Sequence, residues 1–198
     1  MSIWSGLAFG QPVAEQPDWK IGDRWNFQQS IKQPGIGDDK PDTWSRRIVA
    51  FLANNKLEVR FGSGRIAQYD GAMNFTFVGD GGAEQIKVLA QYPLKVGAEW
   101  TYRTKSGPMQ GARNGSAKIV SYESITVPAG TFSCYRIDAV ENYGNKAYSE
   151  LVRTSRWYCP AVKWIARERE ERTITDPGTG GAQTTVSVSE LVKFTPGE

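Results

Sequence analysis

The chain has 198 residues, a net charge of +3 and an aromatic content of 12%, including seven tryptophans. A chain of this length can bury a core without a metal, and because its basic and acidic residues are interspersed, nucleic acid is not a predicted partner. Histidine is absent, which excludes Ser-His-Asp and Cys-His catalysis and removes the commonest zinc ligand.

The first eighteen residues are expected to lie outside the folded domain. Residues Met1 to Ala14 are uncharged, and Ala8-Phe9-Gly10 resembles a small-x-small processing site, although a positively charged region is missing. We expect a signal-peptide remnant here, the alternative being a flexible tail. No run reaches the roughly 18 to 20 apolar residues of a membrane-spanning helix, so no transmembrane segment is predicted.

Alternation of apolar and polar residues with a period of two recurs along the chain, whereas no window keeps a helical period for three turns. The strands predicted in the first half are Asp23 to Ile31, Trp44 to Ala53, Lys56 to Gly62, Arg65 to Tyr69, Met73 to Gly79 and Gln85 to Ala90. Those in the second half are Glu99 to Lys105, Ala117 to Val127, Thr131 to Asn142, Ala147 to Trp157, Val162 to Thr173 and Thr184 to Phe194. The expected fold class is all-β, a curved antiparallel sheet forming a half-barrel or a barrel.

Turn residues separate these strands. Asn54-Asn55 suits the positive-φ positions of a tight hairpin, and Val127 to Gly130 has Pro and Gly where a β-turn favours them. Gln33 to Asp42 breaks any strand, and Asp176 to Ala182 is predicted to tip the last hairpin. The latter glycines lack the Lys-Ser/Thr and the helix of a phosphate loop.

An internal repeat is visible at an offset of 75 residues. Trp19 to Phe27 is echoed by Leu94 to Tyr102, and the hairpin tip Leu52 to Leu57 maps without gaps onto Val127 to Phe132. The alternative is a chance similarity of two hairpins. The predicted domain spans residues 19–198, and its two similar halves span about 19–93 and 94–198.

Two cysteines, Cys134 and Cys159, each fall within a predicted strand. A disulfide between them would close a loop of about 26 residues and stabilise the fold by roughly 3 to 3.5 kcal/mol in the chain-entropy model. The alternative is a pair of reduced, buried thiols. Two thiols without histidine do not make a usual zinc site, so no metal or cofactor is predicted.

The stretch from Arg153 to Arg167 interleaves basic and aromatic residues, as single-strand-binding grooves do. On a strand, however, Trp157 and Cys159 share one face and Arg156 and Tyr158 the other, which favours a core face backed by a solvated, charge-paired face. The mixed charges from Arg167 to Arg172 suggest an exposed strand or a guarded edge.

Acidic residues offer two weaker candidates. Asp38, Asp39 and Asp42 crowd one loop but lack the spacing of a calcium loop, so a solvated acidic loop is favoured. A carboxylate pair for glycosidase-type chemistry could be drawn from the second half, although sequence does not fix the spacing. The carboxylates concerned are Glu123, Asp138, Glu141 and Glu150.

Several segments of the second half carry a family resemblance. They are Tyr92 to Gly97, Trp100 to Tyr102, Ile125 to Phe132, Trp157 to Val162 and Ser189 to Phe194. This half resembles the TapB-like group of bacterial extracytoplasmic proteins, which are largely uncharacterised and often secreted or lipoprotein-like. The resemblance implies an extracytoplasmic location and a lipoprotein-carrier-like curved sheet. It transfers no functional residue, and the chain departs from the pattern in Cys159 and in having no lipobox cysteine near its start.

The sequence therefore predicts a non-enzymatic extracytoplasmic binding or interaction protein, in the form of an accessory subunit with a protein partner in the cell envelope. The alternatives are a carrier of a lipid or other hydrophobic molecule and a hydrolase that uses carboxylates alone. Six aromatic residues are expected to gather on the inner face of the sheet, as core or as an apolar cleft. They are Trp25, Phe27, Trp100, Tyr102, Phe132 and Trp157.

Overall fold

The computed structural model describes residues 12–33, 41–78, 84–105, 112–144, 149–176 and 178–198. The strands are β1 (Arg24–Lys32), β2 (Asp42–Leu52), β3 (Lys56–Phe61), β4 (Ile66–Asp70), β5 (Phe75–Val78), β6 (Glu84–Lys87), β7 (Glu99–Lys105), β8 (Ala112–Val127), β9 (Gly130–Gly144), β10 (Ser149–Cys159), β11 (Trp164–Thr175) and β12 (Ala182–Thr195). Helix is limited, in the described part of the chain, to a 3-10 turn at Pro160–Val162. None of the described segments is a helix long and apolar enough to cross a membrane. The all-β prediction is confirmed.

The twelve strands form one antiparallel sheet in the order β6-β5-β4-β3-β2-β1-β12-β11-β10-β9-β8-β7. Each half of the chain is a meander, and the pairing of β1 with β12 joins the two meanders. The ends of the sheet are β6 and β7, which follow each other in sequence but do not pair with each other within the described residues. The sheet is therefore open, consistent with the half-barrel and not with a closed barrel.

Asp23 ties the segments before β1 and after β12 to the middle of the sheet. Its buried carboxylate accepts hydrogen bonds from the backbone N–H of Lys20 at 3.0 Å and of Gly197 at 2.8 Å. It also pairs with Lys163 Nζ at 3.0 Å. A Cβ at position 197 would collide with the carbonyl oxygen of Ile21, so only glycine allows this close approach.

The buried apolar side chains form two clusters. The first cluster comprises Trp19, Trp25, Phe27, Ile48, Leu57, Val59, Tyr69, Met73, Ile125, Val127, Cys134, Cys159, Val162, Trp164, Ala166 and Leu191. The second cluster comprises Ala14, Ala90, Leu94, Trp100, Tyr102, Ala117, Ile119, Tyr135, Ile137, Ala139 and Tyr158.

A β-bulge explains why one strand contributes side chains to both clusters. The pairing of β8 with β9 shifts between Ile119 and Ser121, and one extra residue sends the side chains beyond it to the other face of the sheet. Ile119 accordingly packs in the second cluster and Ile125 in the first. A second bulge shifts the pairing of β10 with β11 between Trp157 and Tyr158. The buried face of β8 therefore changes at its bulge.

The structure corrects the prediction for β10 and one of the two alternatives for β11. Arg156 and Tyr158 were expected to face solvent, but each is only 3% exposed, because their face of β10 is the buried one and the opposite face, apart from Cys159, is half-buried or exposed. The charged run from Arg167 to Arg172 is not an edge, since β11 lies between β10 and β12, and its side chains are half-buried except for exposed Arg169. Its charged side chains form ion pairs within the sheet; Arg167, for example, pairs with Glu190 at 2.7 Å.

The predicted turns are confirmed where the structure describes them. Asn54 and Asn55 have φ angles of 61° and 57° at the tip between β2 and β3. Val127 pairs with Gly130 across the tip of β8 and β9. At the last hairpin, Asp176 N–H donates to the carbonyl of Gly181 at 2.9 Å. The acidic loop with Asp38 and Asp39 lies outside the described residues, as does the predicted processing site near Met1.

The two copies of the predicted repeat form the same turn. The backbone N–H groups of Gly22 and Gly97 donate to Ile48 and Ile119, at 2.9 and 2.8 Å, and both glycines have positive φ angles, of 97° and 93°. Ile48 and Ile119 are 71 residues apart, whereas the hairpin tips that follow are 75 apart. The shared offset of the tips therefore depends on compensating length differences between the hairpins. A common origin of the two halves stays a prediction.

The predicted disulfide is present. Cys134 of β9 and Cys159 of β10 are bonded across neighbouring strands, and both are fully buried in the first cluster. The alternative of two reduced thiols is therefore wrong for this structure. The bond fixes β9 to β10 next to the paired residues Tyr135 and Tyr158, which face the second cluster.

Replacing both cysteines by alanine should lower the free energy of unfolding by roughly 3 to 3.5 kcal/mol, because the unfolded chain regains the freedom of a closed loop. Urea unfolding of the oxidised protein, the reduced protein and the Cys134→Ala/Cys159→Ala variant measures this difference. The reduced protein and the variant should unfold at similar urea concentrations. An unchanged midpoint in both would contradict a stabilising role for the bond.

Candidate functional site

The six aromatic residues predicted for one inner face do not share one. Trp25 and Phe27 belong to the first cluster, against which Phe132 and Trp157 pack, and Trp100 and Tyr102 belong to the second. By strand register, Trp25, Phe27, Trp100 and Tyr102 lie on one face of the sheet, and Phe132 and Trp157 lie on the other. These residues form core, and the expected single apolar cleft is not built from them.

Two of the four carboxylates considered for hydrolysis lie in one ionic network. Arg113 connects them, with Nη1 3.3 Å from Glu141 Oε2 and Nη2 2.9 Å from Glu150 Oε2. Glu141, which is 1% exposed, also binds Lys87 Nζ at 2.6 Å and accepts a hydrogen bond from the Tyr102 hydroxyl at 2.7 Å. The network anchors the second cluster to the strands around it.

The other two carboxylates have partners elsewhere. Glu123 accepts a hydrogen bond from Trp157 Nε1 at 2.6 Å, and Asp138 pairs with Arg136 at 2.9 Å. The structure therefore brings Glu141 and Glu150 together through Arg113 and leaves Glu123 and Asp138 in separate contacts.

The electrostatics of Glu141 are those of a structural ion pair. Burial alone would raise the pKa of this carboxyl, but the ammonium of Lys87 and the hydrogen bond from Tyr102 lower it to about 2. A glycosidase general acid needs the opposite, a carboxyl whose pKa is raised so that it keeps its proton near neutral pH. The network therefore gives no support to the hydrolase hypothesis.

A different arrangement surrounds Arg46 on β2. Its guanidinium carbon lies over four aromatic rings, at 4.2 Å from the ring centroid of Trp164, 4.7 Å from Trp44, 5.5 Å from Phe27 and 5.7 Å from Phe61. We call this set of four rings the aromatic cage. It is assembled from β1, β2, β3 and β11.

Arg46 has no acidic partner among the described residues. Its Nε is buried and has no hydrogen-bond partner there, and no described carboxylate lies at ion-pair distance. Burial lowers the pKa of the guanidinium, against the opposing influence of Tyr69 and Glu168. Arg46 as a whole is half-buried, whereas Arg156 is 3% exposed and places its Nε 2.6 Å from Glu168. Of these two arginines, one is paired and one is not.

A small cavity adjoins the unpaired arginine. It has a volume of about 30 Å³ and is lined by Phe27, Trp44, Arg46, Trp164, Ile165, Glu168 and Ser189. Three of its lining residues carry a buried polar atom without a hydrogen-bond partner in the described structure: Trp44 Nε1, Arg46 Nε and Ser189 Oγ. The side chain of Ser189 belongs to a residue that is 8% exposed. Because buried polar groups are nearly always paired, three unpaired ones among the residues that line one cavity make it the candidate site.

The cavity lies beside a shallow surface depression of about 570 Å³. Trp44 and Arg46 line both, and the depression also contains Gln29, Asp42, Thr43, Ser45, Phe61, Gly62 and Ser63. We refer to the cavity and this depression together as the Arg46 site. No group of three or more metal-ligating acidic or cysteine side chains occurs in the described part of the chain.

Sequence reasoning did not identify Arg46, Trp44, Phe61 or Ser189 as site residues. One local pattern was available: Trp44 and Arg46 share a face of β2 and lie opposite Phe27 and Trp25 of β1. The contribution of Trp164 and Ser189 depends on the pairing of β1 with β12, which no local pattern specifies.

No family model matches the chain, and no curated protein matches it significantly. The resemblance to the TapB-like group is therefore not confirmed.

Three solved structures are similar to the chain. A Bacteroides fragilis protein, inferred to be exported and described as having a YmcC-like fold, is 16% identical, with 93% of this chain and 100% of that chain covered and a TM-score of 0.47. An inferred lipoprotein of Parabacteroides distasonis is 15% identical, with 93% and 100% covered and a TM-score of 0.48. The hypothetical lipoprotein YmcC of Escherichia coli is 7% identical, with 84% and 87% covered and a TM-score of 0.41. Similarity this low supports no functional conclusion.

Glu141→Gln should flatten the acid limb of the stability profile. The folded-state pKa of Glu141 is below its ordinary value, so its stabilisation is complete above about pH 4.5 and is lost as the pH falls towards 2. The loss should amount to roughly 3 kcal/mol. Urea unfolding between these pH values measures it. Glu99→Gln is the control, because Glu99 is exposed and its contact with Lys118 is long, at 3.7 Å. Equal pH dependence of wild type and Glu141→Gln would contradict the assignment.

Arg46→Met and Arg156→Met should differ in stability. Arg156→Met leaves Glu168 and its neighbours without their buried cation and should cost roughly 2 to 4 kcal/mol. Arg46→Met removes a buried charge that has no acidic partner, so its free energy of unfolding should stay within about 1 kcal/mol of wild type or rise. Chemical unfolding of the two variants side by side measures the difference. A large loss for Arg46→Met would indicate that Arg46 serves stability.

Proposed function

We propose that this chain is a non-enzymatic extracytoplasmic binding protein, and that its ligand is recognised at the Arg46 site. The observation that carries this proposal is a guanidinium enclosed by four aromatic rings and left without a carboxylate partner. Recognition of a ligand accounts for this arrangement, because a charge is seldom buried unless something compensates it.

A contribution to folding stability does not by itself explain why the Arg46 guanidinium lies among aromatic rings without a carboxylate partner. Four cation–π contacts, at about 0.5 to 2 kcal/mol each, roughly offset the several kcal/mol that desolvating an ion costs in a protein. Three buried polar atoms without a partner add to this cost: Nε of Arg46, Nε1 of Trp44 and Oγ of Ser189. Sites that are costly to folding but useful in binding are common in natural proteins.

The buried disulfide supports the extracytoplasmic location. A bond between Cys134 and Cys159 persists in oxidising compartments, whereas cytosolic thiols are kept reduced. Its position inside the first cluster makes it a part of the folded core.

The accessory-subunit hypothesis is the second candidate. The observation in its favour is the open sheet, since the outer edges of β6 and β7 pair with no other strand among the described residues. Free strand edges are common docking sites for extended partner segments. Enclosure of a whole lipid has less support, because the cavity at Arg46 holds about 30 Å³ and ligand pockets usually reach roughly 300 to 1,000 Å³.

Native mass spectrometry of protein purified gently from its own cells should reveal a bound small molecule. The increment should be lost in Arg46→Met, because its recognition depends on the guanidinium. Arg65→Met is the matched control: Arg65 is exposed and stacks on Phe61 from 4.7 Å but does not line the cavity.

A protein-sized increment that survives Arg46→Met would favour the accessory subunit. A mass equal to the bare chain in every preparation would contradict ligand recognition at the Arg46 site.

A further inference from the structure

We infer that the Arg46 site binds a carboxylate, with the carboxylate group inside the cavity and the rest of the ligand over the adjoining depression. This inference rests on the proposed function and specifies the chemistry of its ligand.

The first step is the hydrogen-bonding character of the cavity. Arginine Nε and tryptophan Nε1 are donors only, and a serine hydroxyl can donate one hydrogen bond. The three unpartnered atoms, Arg46 Nε, Trp44 Nε1 and Ser189 Oγ, belong to residues that line the cavity, so the lining carries three unused donors. The ligand must therefore present acceptor oxygens.

The second step is the balance of charge. Two guanidiniums, those of Arg46 and Arg156, lie close to Glu168, the one carboxylate among the residues that line the cavity. Glu168 is already bound to Arg156 at 2.6 Å and is 36% exposed. One positive charge remains without compensation, so an anionic acceptor is favoured over a neutral carbonyl. Glu168 also repels an anion placed beside it, which favours a single negative charge over a doubly charged phosphate.

The third step is size. One water-sized group needs roughly 10 to 15 Å³ of cavity volume, so the cavity of about 30 Å³ accommodates two such groups. The two oxygens of a carboxylate match this room and the three donors. Tetrahedral phosphate or sulfate has four oxygens and exceeds it.

The fourth step is the way out of the cavity. Trp44 and Arg46 line both the cavity and the depression of about 570 Å³, so a ligand held by its carboxylate can extend across Phe61 and Thr43. The carboxylate could belong to a short organic acid, a fatty acid or the C-terminus of a peptide. These sources share the same group at Arg46 and differ in what covers the depression.

The test is a titration followed by intrinsic tryptophan fluorescence, since Trp44 and Trp164 face the cavity. The probes are propionate, octanoate, N-acetyl-dialanine with a free C-terminus, the amides of all three, and inorganic phosphate. Each acid that fits should bind saturably and at least about tenfold more tightly than its amide. The tightest acid identifies the source of the carboxylate.

Variants locate the binding. Arg46→Met should weaken the best acid at least about tenfold and Ser189→Ala by a smaller factor, whereas Arg65→Met should leave it unchanged. Arg46→Lys should restore part of the affinity, because it keeps the charge and loses the fixed geometry of Nε.

Equal binding of acids and amides, preference for phosphate, or absence of saturable binding by every acid would each overturn the carboxylate inference. If native mass spectrometry then still detected a ligand that depends on Arg46, the proposed binding function would stand and only its chemistry would change. If it detected none, both would fail.

Discussion

The pairing of β1 with β12 is the constraint on which the rest of the structure depends. It joins two meanders into one sheet and places β11 and β12 beside β1 and β2. Trp164 and Ser189 therefore reach the same cavity as Phe27 and Arg46, from which they are separated by more than a hundred residues of chain. The stacking of Trp25 on Phe194 at 5.4 Å and the contacts of Asp23 hold this seam. The Arg46 site exists because the two halves meet here.

Buried charge occurs in two different arrangements in this sheet. Around Glu141, every charge has a partner: Lys87, Arg113 and Tyr102 surround the carboxylate, and the arrangement stabilises the second cluster. At Arg46, aromatic rings replace the counter-ion and the buried donors are unmatched. A polar network stabilises the fold when every group in it is paired. Unpaired donors around a cavity leave hydrogen bonds that a ligand can complete. This contrast separates a structural group of charges from a recognition site.

The sequence predicted the all-β fold well, because alternation and turn residues act locally. Asn54-Asn55 and Val127 to Gly130 mark their hairpins by their own backbone preferences. The sequence did not predict which face is buried along β8 or β11, because a bulge at Val120 or Ala166 inverts the alternation without a distinctive residue. It did not predict the Arg46 site either, because the cage depends on strand order across the sheet.

The most direct measurement of the central claim is the ¹⁵N NMR signal of the Arg46 Nε–H group during addition of the best-binding acid. Arg156 provides an internal reference, because its Nε is already bound to Glu168. The account predicts a saturable shift of the Arg46 signal to the position of a carboxylate-bound guanidinium, with little change at Arg156. An Arg46 signal that stays constant while the acid binds would contradict recognition of a carboxylate at this site.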